Sequence, residues 1–273
     1  MKYLLIFPII AIILTSTGCS DYNQVLKSDD YGRKFEMANV LFDSIATPSS
    51  KMRSVALYEQ IYQRMPKQGE GELAYFRIGK AYYVNNDYYM AGHYLGVFPQ
   101  RFPFSPKAEE SMFLSAMCSV NNSPEYSLDQ METDIAINNL QQFADRYPNS
   151  VLVDSCNNII DALHFKLETK DYEAVKLYAK TLNYLAAVSS ALIYVEDYPM
   201  SIFSEEVNMI LVENSYYLSK NSIENKKIER TEQAIERYST FVAAFPESKY
   251  QGALAVYCDI LKKDLEKLAL KTK

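Results

Sequence analysis

The chain has 273 residues, 48% of them hydrophobic and 23% charged, with only eight Gly and ten Pro, a composition that suits long helices joined by short turns better than it suits strands or disorder. Its formal charge is −6, and no clustered basic face is visible, so phosphate neutralisation, and with it nucleic acid as a partner, is excluded. The 23 Tyr and absence of Trp suit helices that interlock through aromatic rings with one wet edge.

Met1 and Lys2 precede a twelve-residue, mostly apolar run, Tyr3 to Leu14. That is too short to span a bilayer and the right size for the core of a secretory leader, so export is expected. The run ends Thr15-Ser16-Thr17-Gly18-Cys19-Ser20. Small residues before a cysteine look like a bacterial lipobox, with Ser16 where Leu is usual and Leu14 two residues earlier. The resemblance implies that residues 1–18 are removed and that Cys19 is acylated, tethering the body by its lipid. Ser20 stands where an inner-membrane retention signal would put Asp, which favours the periplasmic face of the cell outer membrane. From Ser20 to Gly32 the sequence is polar and aperiodic, and residues 19–32 read as a linker between lipid and body.

The body, residues 33–273, is organised by a repeated skeleton. A small Ala is followed by an aromatic at seven, another at eleven, Pro at twelve and Ser at fourteen. The copies are Ala91, Phe98, Phe102, Pro103, Ser105; Ala136, Phe143, Tyr147, Pro148, Ser150; Ala187, Tyr194, Tyr198, Pro199, Ser201; and Ala234, Phe241, Phe245, Pro246, Ser248. A shorter copy runs from Ala56 to Pro66. Positions zero, seven and eleven share one helix face. Pro then ends the helix, and Ser is expected to cap the next one. Spacings of 45, 51 and 47 residues between the four prolines are those of a solenoid of helical pairs.

In chain order, Arg33–Ile45 and Lys51–Arg64 make a first pair. In the second, Tyr75, Gly79, Tyr82, Ala91, Leu95 and Pro103 fall at the places of the tetratricopeptide consensus, with Gly79 admitting a close helix and Asn85-Asn86-Asp87-Tyr88 making the turn. The third pair joins Pro106–Val120 to Asp134–Arg146 through an insertion, Asn121 to Gln130. Val151–Thr181 reads as one long or kinked helix feeding the fourth pair. Ser201–Ser219 and Lys227–Ala244 form the fifth. Lys249–Leu270 is a capping helix with its apolar stripe on one side, and Lys262, Lys263, Lys267, Lys271 and Lys273 are solvated cations near its dipole end. The expected fold is all-α, a right-handed α-solenoid of about five tetratricopeptide-like pairs.

Enzyme chemistry finds no support. His93 and His164 have no partner at nucleophile or ligand spacing, and Glu109-Glu110 and Glu205-Glu206 read as helix-opening anions. Cys118, Cys156 and Cys258 read as buried free thiols. No metal or cofactor is expected.

Taken together, the leader, the repeats and the segments Cys19 to Tyr31, Asp87 to Ala91 and Phe245 to Tyr250 resemble the BamD family, the tetratricopeptide lipoproteins of the outer-membrane β-barrel assembly machinery. The resemblance implies function by binding: a scaffold that docks the barrel-forming subunit through its periplasmic domains and receives unfolded outer-membrane protein clients, for folding and membrane insertion. The alternative is a helical-repeat lipoprotein serving polysaccharide capture or cell-wall enzymes. On the family's pattern, residues one place past the packing positions of the second pair, Phe76, Lys80 and Tyr83, would line a client-peptide groove suited to an apolar segment ending in a carboxylate.

Overall fold

The computed structural model describes residues 21–44 and 47–271, and among them only helices and turns occur. The leader and Cys19 lie outside the described residues.

The described part of the expected linker is ordered structure. Residues 21–27 are helical (α1), and Val25 is 0% exposed in the first apolar cluster, with Tyr22 and Leu26 packed against it. The Tyr22 hydroxyl donates to the Arg53 carbonyl at 2.8 Å, the Arg53 guanidinium lies 4.6 Å from the Tyr22 ring, and Arg33 pairs with Asp21 at 2.7 Å. The linker expectation is therefore corrected for this stretch: three apolar side chains suffice to dock a polar segment when a neighbouring helix supplies the groove.

Asp30 then caps α2 (Tyr31–Asn39), accepting from the Arg33 amide at 2.9 Å, and α2 widens into a π-turn at Val40–Ser44. A polar knot secures that turn. Arg77 donates to Asn39 Oδ1 at 2.6 Å and to the Tyr58 hydroxyl at 2.9 Å, and it pairs with Asp43 at 2.8 Å. Thr47 caps α3 (Pro48–Arg64), whose proline sits in the first turn, where its missing N–H costs nothing.

The helices α4 (Gly69–Val84), α5 (Tyr88–Arg101), α6 (Ala108–Asn122), α7 (Met131–Arg146), α8 (Val153–Lys180), α9 (Tyr184–Asp197), α10 (Ser204–Lys220), α11 (Glu224–Ala244) and α12 (Gln251–Lys271) follow. Packing divides the chain within α8 into two compact units, Met1–Leu163 and His164–Lys273. In each, consecutive helices pack on one another, as expected of an all-α solenoid of tetratricopeptide-like repeats. The division was not legible, because α8 carries no Pro or Gly and runs unbroken for 28 residues.

The repeat skeleton is a structural identity. Ala91, Ala136, Ala187 and Ala234, and the rings at position seven, are buried. At position eleven the amides of Phe102, Tyr147, Tyr198 and Phe245 each donate to the position-seven carbonyl at 2.9 Å. There φ/ψ are −129/64, −127/61, −125/62 and −128/66, the helix-leaving geometry that the following proline requires. The two rings of each copy lie 4.9 to 5.4 Å apart, at 42 to 45°.

One detail of the expectation is corrected. Each serine sits three residues before the next helix. Its hydroxyl accepts from the amide two residues on, at Lys107, Leu152, Phe203 and Tyr250 over 3.1, 3.2, 2.9 and 3.1 Å. The serine thus shapes the turn rather than capping the helix itself, because two turn residues separate them.

The α4–α5 and α8–α9 turns also match. Asn86 and Leu182 adopt left-handed φ of 61° and 58°, and Asp87 and Asn183 cap the following helices. Gly79 fills its expected role, since a Cβ there would stand 2.7 Å from Leu95 Cγ. Cys118, Cys156 and Cys258 are buried and free, and burial alone pushes the Cys118 thiol up to about 12, which keeps it protonated and inert. In α12, Leu254, Cys258 and Leu261 face α10 and α11, as a capping helix requires.

Candidate interaction surfaces

The row expected to line a groove, Phe76, Lys80 and Tyr83, faces α6. Phe76 is 3% exposed, 5.4 Å from the Phe98 ring, with the ammonium groups of Lys80 and Lys107 at 5.4 and 5.0 Å. It is a core residue and offers no surface to a ligand, which corrects that part of the expectation. Lys80 reaches across to Glu110 of α6 at 2.7 Å. Tyr83 is half-buried, edge-on to Tyr88 at 5.7 Å, and burial raises its phenol pKa. The physical reason is that the side chain one step past the packing stripe still lies within reach of the next pair's first helix.

An open cleft lies on the other side of α4. A cavity of about 380 Å³ is lined by Glu59, Tyr62, Tyr75, Ile78, His93, Tyr94 and Arg101. Helices α3, α4 and α5 each contribute a tyrosine, and the Tyr75 ring lies 4.7 Å from that of Tyr62 and 5.2 Å from that of Tyr94. Arg101, in the last turn of α5, spreads its guanidinium over Tyr75 and Tyr62 at 5.1 and 5.8 Å and donates to the Tyr62 hydroxyl. Among the described residues Arg101 belongs to no ion pair. Tyr94 donates to Glu59 at 3.4 Å, and burial, reinforced by the Glu59 charge, pushes its phenol up to about 12. Such a cleft has aromatic walls and an unpaired cation at its edge, the chemistry that holds an apolar side chain beside a carboxylate. The sequence reading assigned Tyr75 to packing; the signal it passed over was a third tyrosine, Tyr62, in the preceding helix.

No group of three or more His, Cys, Asp or Glu able to hold a metal occurs among the described residues. None of the described helices is long and apolar enough to cross a membrane.

The model of the YfiO family, described as an outer membrane lipoprotein, matches residues 50–230, from the start of α3 into α11. The chain belongs to this family. Its membership places it at the outer membrane. Among named relatives of this family, the outer membrane protein assembly factor BamD of Caulobacter vibrioides is 24% identical over 160 residues. That stretch is 59% of this chain and 52% of the relative, so the match spans about half the length of that protein.

Proposed function

We propose that this chain is a lipid-anchored binding scaffold on the periplasmic face of the outer membrane. In this reading it takes part in assembling β-barrel proteins, docking the barrel-forming subunit through its periplasmic domains and receiving unfolded clients. The observation that carries the proposal is the family match over residues 50–230, and the name of the Caulobacter relative supports it. Acylated Cys19 would stand two residues before α1, a reach of at most about 7 Å. With α1 docked on α3, the first helical pair is then held close to the lipid surface.

In the same proposal the client's terminal segment enters the Tyr62–Tyr75–Tyr94 cleft, its carboxylate on Arg101 and an apolar side chain against the rings. Lys80 and Tyr83 are the competing site, and two features favour the cleft: Lys80 is already paired with Glu110, and Phe76 is buried beneath it.

The deciding experiment is extraction of the tagged, full-length chain from outer membranes in mild detergent. A barrel protein with periplasmic domains should co-purify; a polysaccharide transporter or cell-wall enzyme in its place overturns the proposal. For the client site, a barrel-derived peptide with a free carboxyl end should bind about tenfold more weakly to Arg101→Ala, about 1.4 kcal/mol. Loss with Lys80→Glu or Tyr83→Ala instead would move the site to the face of α4 that meets α6.

A further inference from the structure

The common register lets the copies be compared position by position, and the fourth departs from the third and fifth, on α7 and α11. Counted from the small residue, positions −2, +2, +5, +6 and +9 of the second helix are all exposed in α7, α9 and α11. In α7 they are Asp134, Asn138, Gln141, Gln142 and Asp145, and in α11 Glu232, Glu236, Ser239, Thr240 and Ala243, all exposed. In α9 they are Leu185, Ser189, Leu192, Ile193 and Glu196. Leu185, Leu192 and Ile193 are 55%, 42% and 59% exposed, and no charged residue lies between Lys180 and Glu196.

Two further departures lie at the ends of the same helix. At −5, where the second copy has Asn86, the fourth holds Leu182 at φ 58° with 66% of its surface exposed. A leucine there gives up both backbone comfort and solvation. At +10, where α5 and α7 end in Arg101 and Arg146, α9 ends in Asp197, an anion at the negative end of the helix dipole. Beside it is a cavity of about 360 Å³ walled by Phe165, Met200 and Ile202, with Glu168 and Asp197 as its anions. Glu168 accepts from the Tyr194 hydroxyl at 3.0 Å, and neither carboxylate is in an ion pair among the described residues. A helix that breaks local rules at its start, along its face and at its end is the mark of a functional surface.

We propose that the outer face of α9 docks an amphipathic helix of a partner protein. The partner's apolar stripe lies along Leu185, Leu192 and Ile193, and its Arg or Lys enters the cavity between Glu168 and Asp197. The charge pattern selects a protein over the bilayer: helices that lie on membranes are flanked by Lys and Arg, whereas this one ends in Glu196 and Asp197, which anionic headgroups repel. From Leu182 to Asp197 the face is about 22 Å long, room for a partner helix of about four turns read at i, i+3, i+4 and i+7. The proposal does not depend on the client-binding role.

The test places the photo-cross-linker p-benzoylphenylalanine at Leu192 of the full-length chain in the bacterium that produces it, with Gln141, the same position on α7, as control. Cross-linked peptides are then sequenced. The expected product from position 192 is a segment of another protein with helical apolar spacing and a terminal Arg or Lys. In a Glu168→Gln, Asp197→Lys background, which keeps an acceptor for the Tyr194 hydroxyl, its yield should fall at least tenfold with the melting curve unchanged. A product joined to this same chain, one joined to phospholipid, a yield no higher than from position 141, or a yield indifferent to these two substitutions each overturns the proposal.

Discussion

Gly79 lets the packing argument be tested by one methyl group. A Cβ at this position would stand 2.7 Å from Leu95 Cγ, 2.9 Å from Leu95 Cδ2 and 3.2 Å from Tyr94 Cβ. Leu95 is fully buried and cannot swing into solvent, so α4 and α5 must part or the leucine must leave its rotamer, which costs about 1–3 kcal/mol. Against this, Ala in place of Gly in a helix contributes about 1 kcal/mol. Gly79→Ala should therefore lose about 1 kcal/mol net, a fall in melting temperature of about 2–4 °C. Gly252→Ala is the internal control. Nothing lies within 4 Å of its added Cβ, so it should gain a few tenths of a kcal/mol to about 1 from the same propensity. Adding Leu95→Ala to Gly79→Ala removes the atoms in conflict, so the pair should be non-additive by at least about 0.5 kcal/mol in the relieving direction. Equilibrium unfolding in urea, followed by helical circular dichroism, measures the parent, Gly79→Ala, Gly252→Ala, Leu95→Ala and the double variant. If Gly79→Ala is as stable as the parent, or follows Gly252→Ala upward, the close approach of α4 and α5 is not what the glycine serves.

The small residue of the skeleton gives a second prediction: Ala136→Leu and Ala187→Leu, both fully buried, should each lose about 1–3 kcal/mol by overpacking, while Ser127→Leu in the exposed α6–α7 connection should leave the melt unchanged. Leu182→Asn should raise stability by about 1 kcal/mol in thermal melts, because Asn tolerates the left-handed φ of 58° that Leu resists; an unchanged or lowered midpoint refutes that reading of the turn. Tyr58 is fully buried, and burial pushes its phenol up to about 12, with Arg77 opposing. A pKa raised in the folded state contributes stability that is present in full below pH 10 and is lost as pH rises from 10 toward 12. Alkaline unfolding should show this loss in the parent and a shallower one in Tyr58→Phe, with equal slopes sinking the assignment. Cys19→Ala should abolish labelling by a fatty-acid analogue and release the chain from membranes, whereas equal labelling of both proteins would refute acylation at that residue.

Within the sequence alone the repeat was already complete. Ala, aromatic, aromatic, Pro and Ser at zero, seven, eleven, twelve and fourteen form a local device, whose amide-to-carbonyl and amide-to-hydroxyl bonds all close within a few residues, so their spacing is written directly in the chain. Gly79 was legible for the same reason, being one position in a fixed register. What only the tertiary structure decided depends on which helix covers a given face, and periodicity is silent on that. Val25 is buried because α3 offers a groove to an otherwise polar segment. Phe76 is in the core because the next pair closes over it, and Arg101 meets Tyr62 and Tyr75 from two other helices that lie far from it in the chain. The apolar face of α9 stands between the two cases. Its leucines were visible as sequence, but only burial separates those that pack from those left facing water, because a helix that is apolar on every side gives no sign of which side its neighbours occupy.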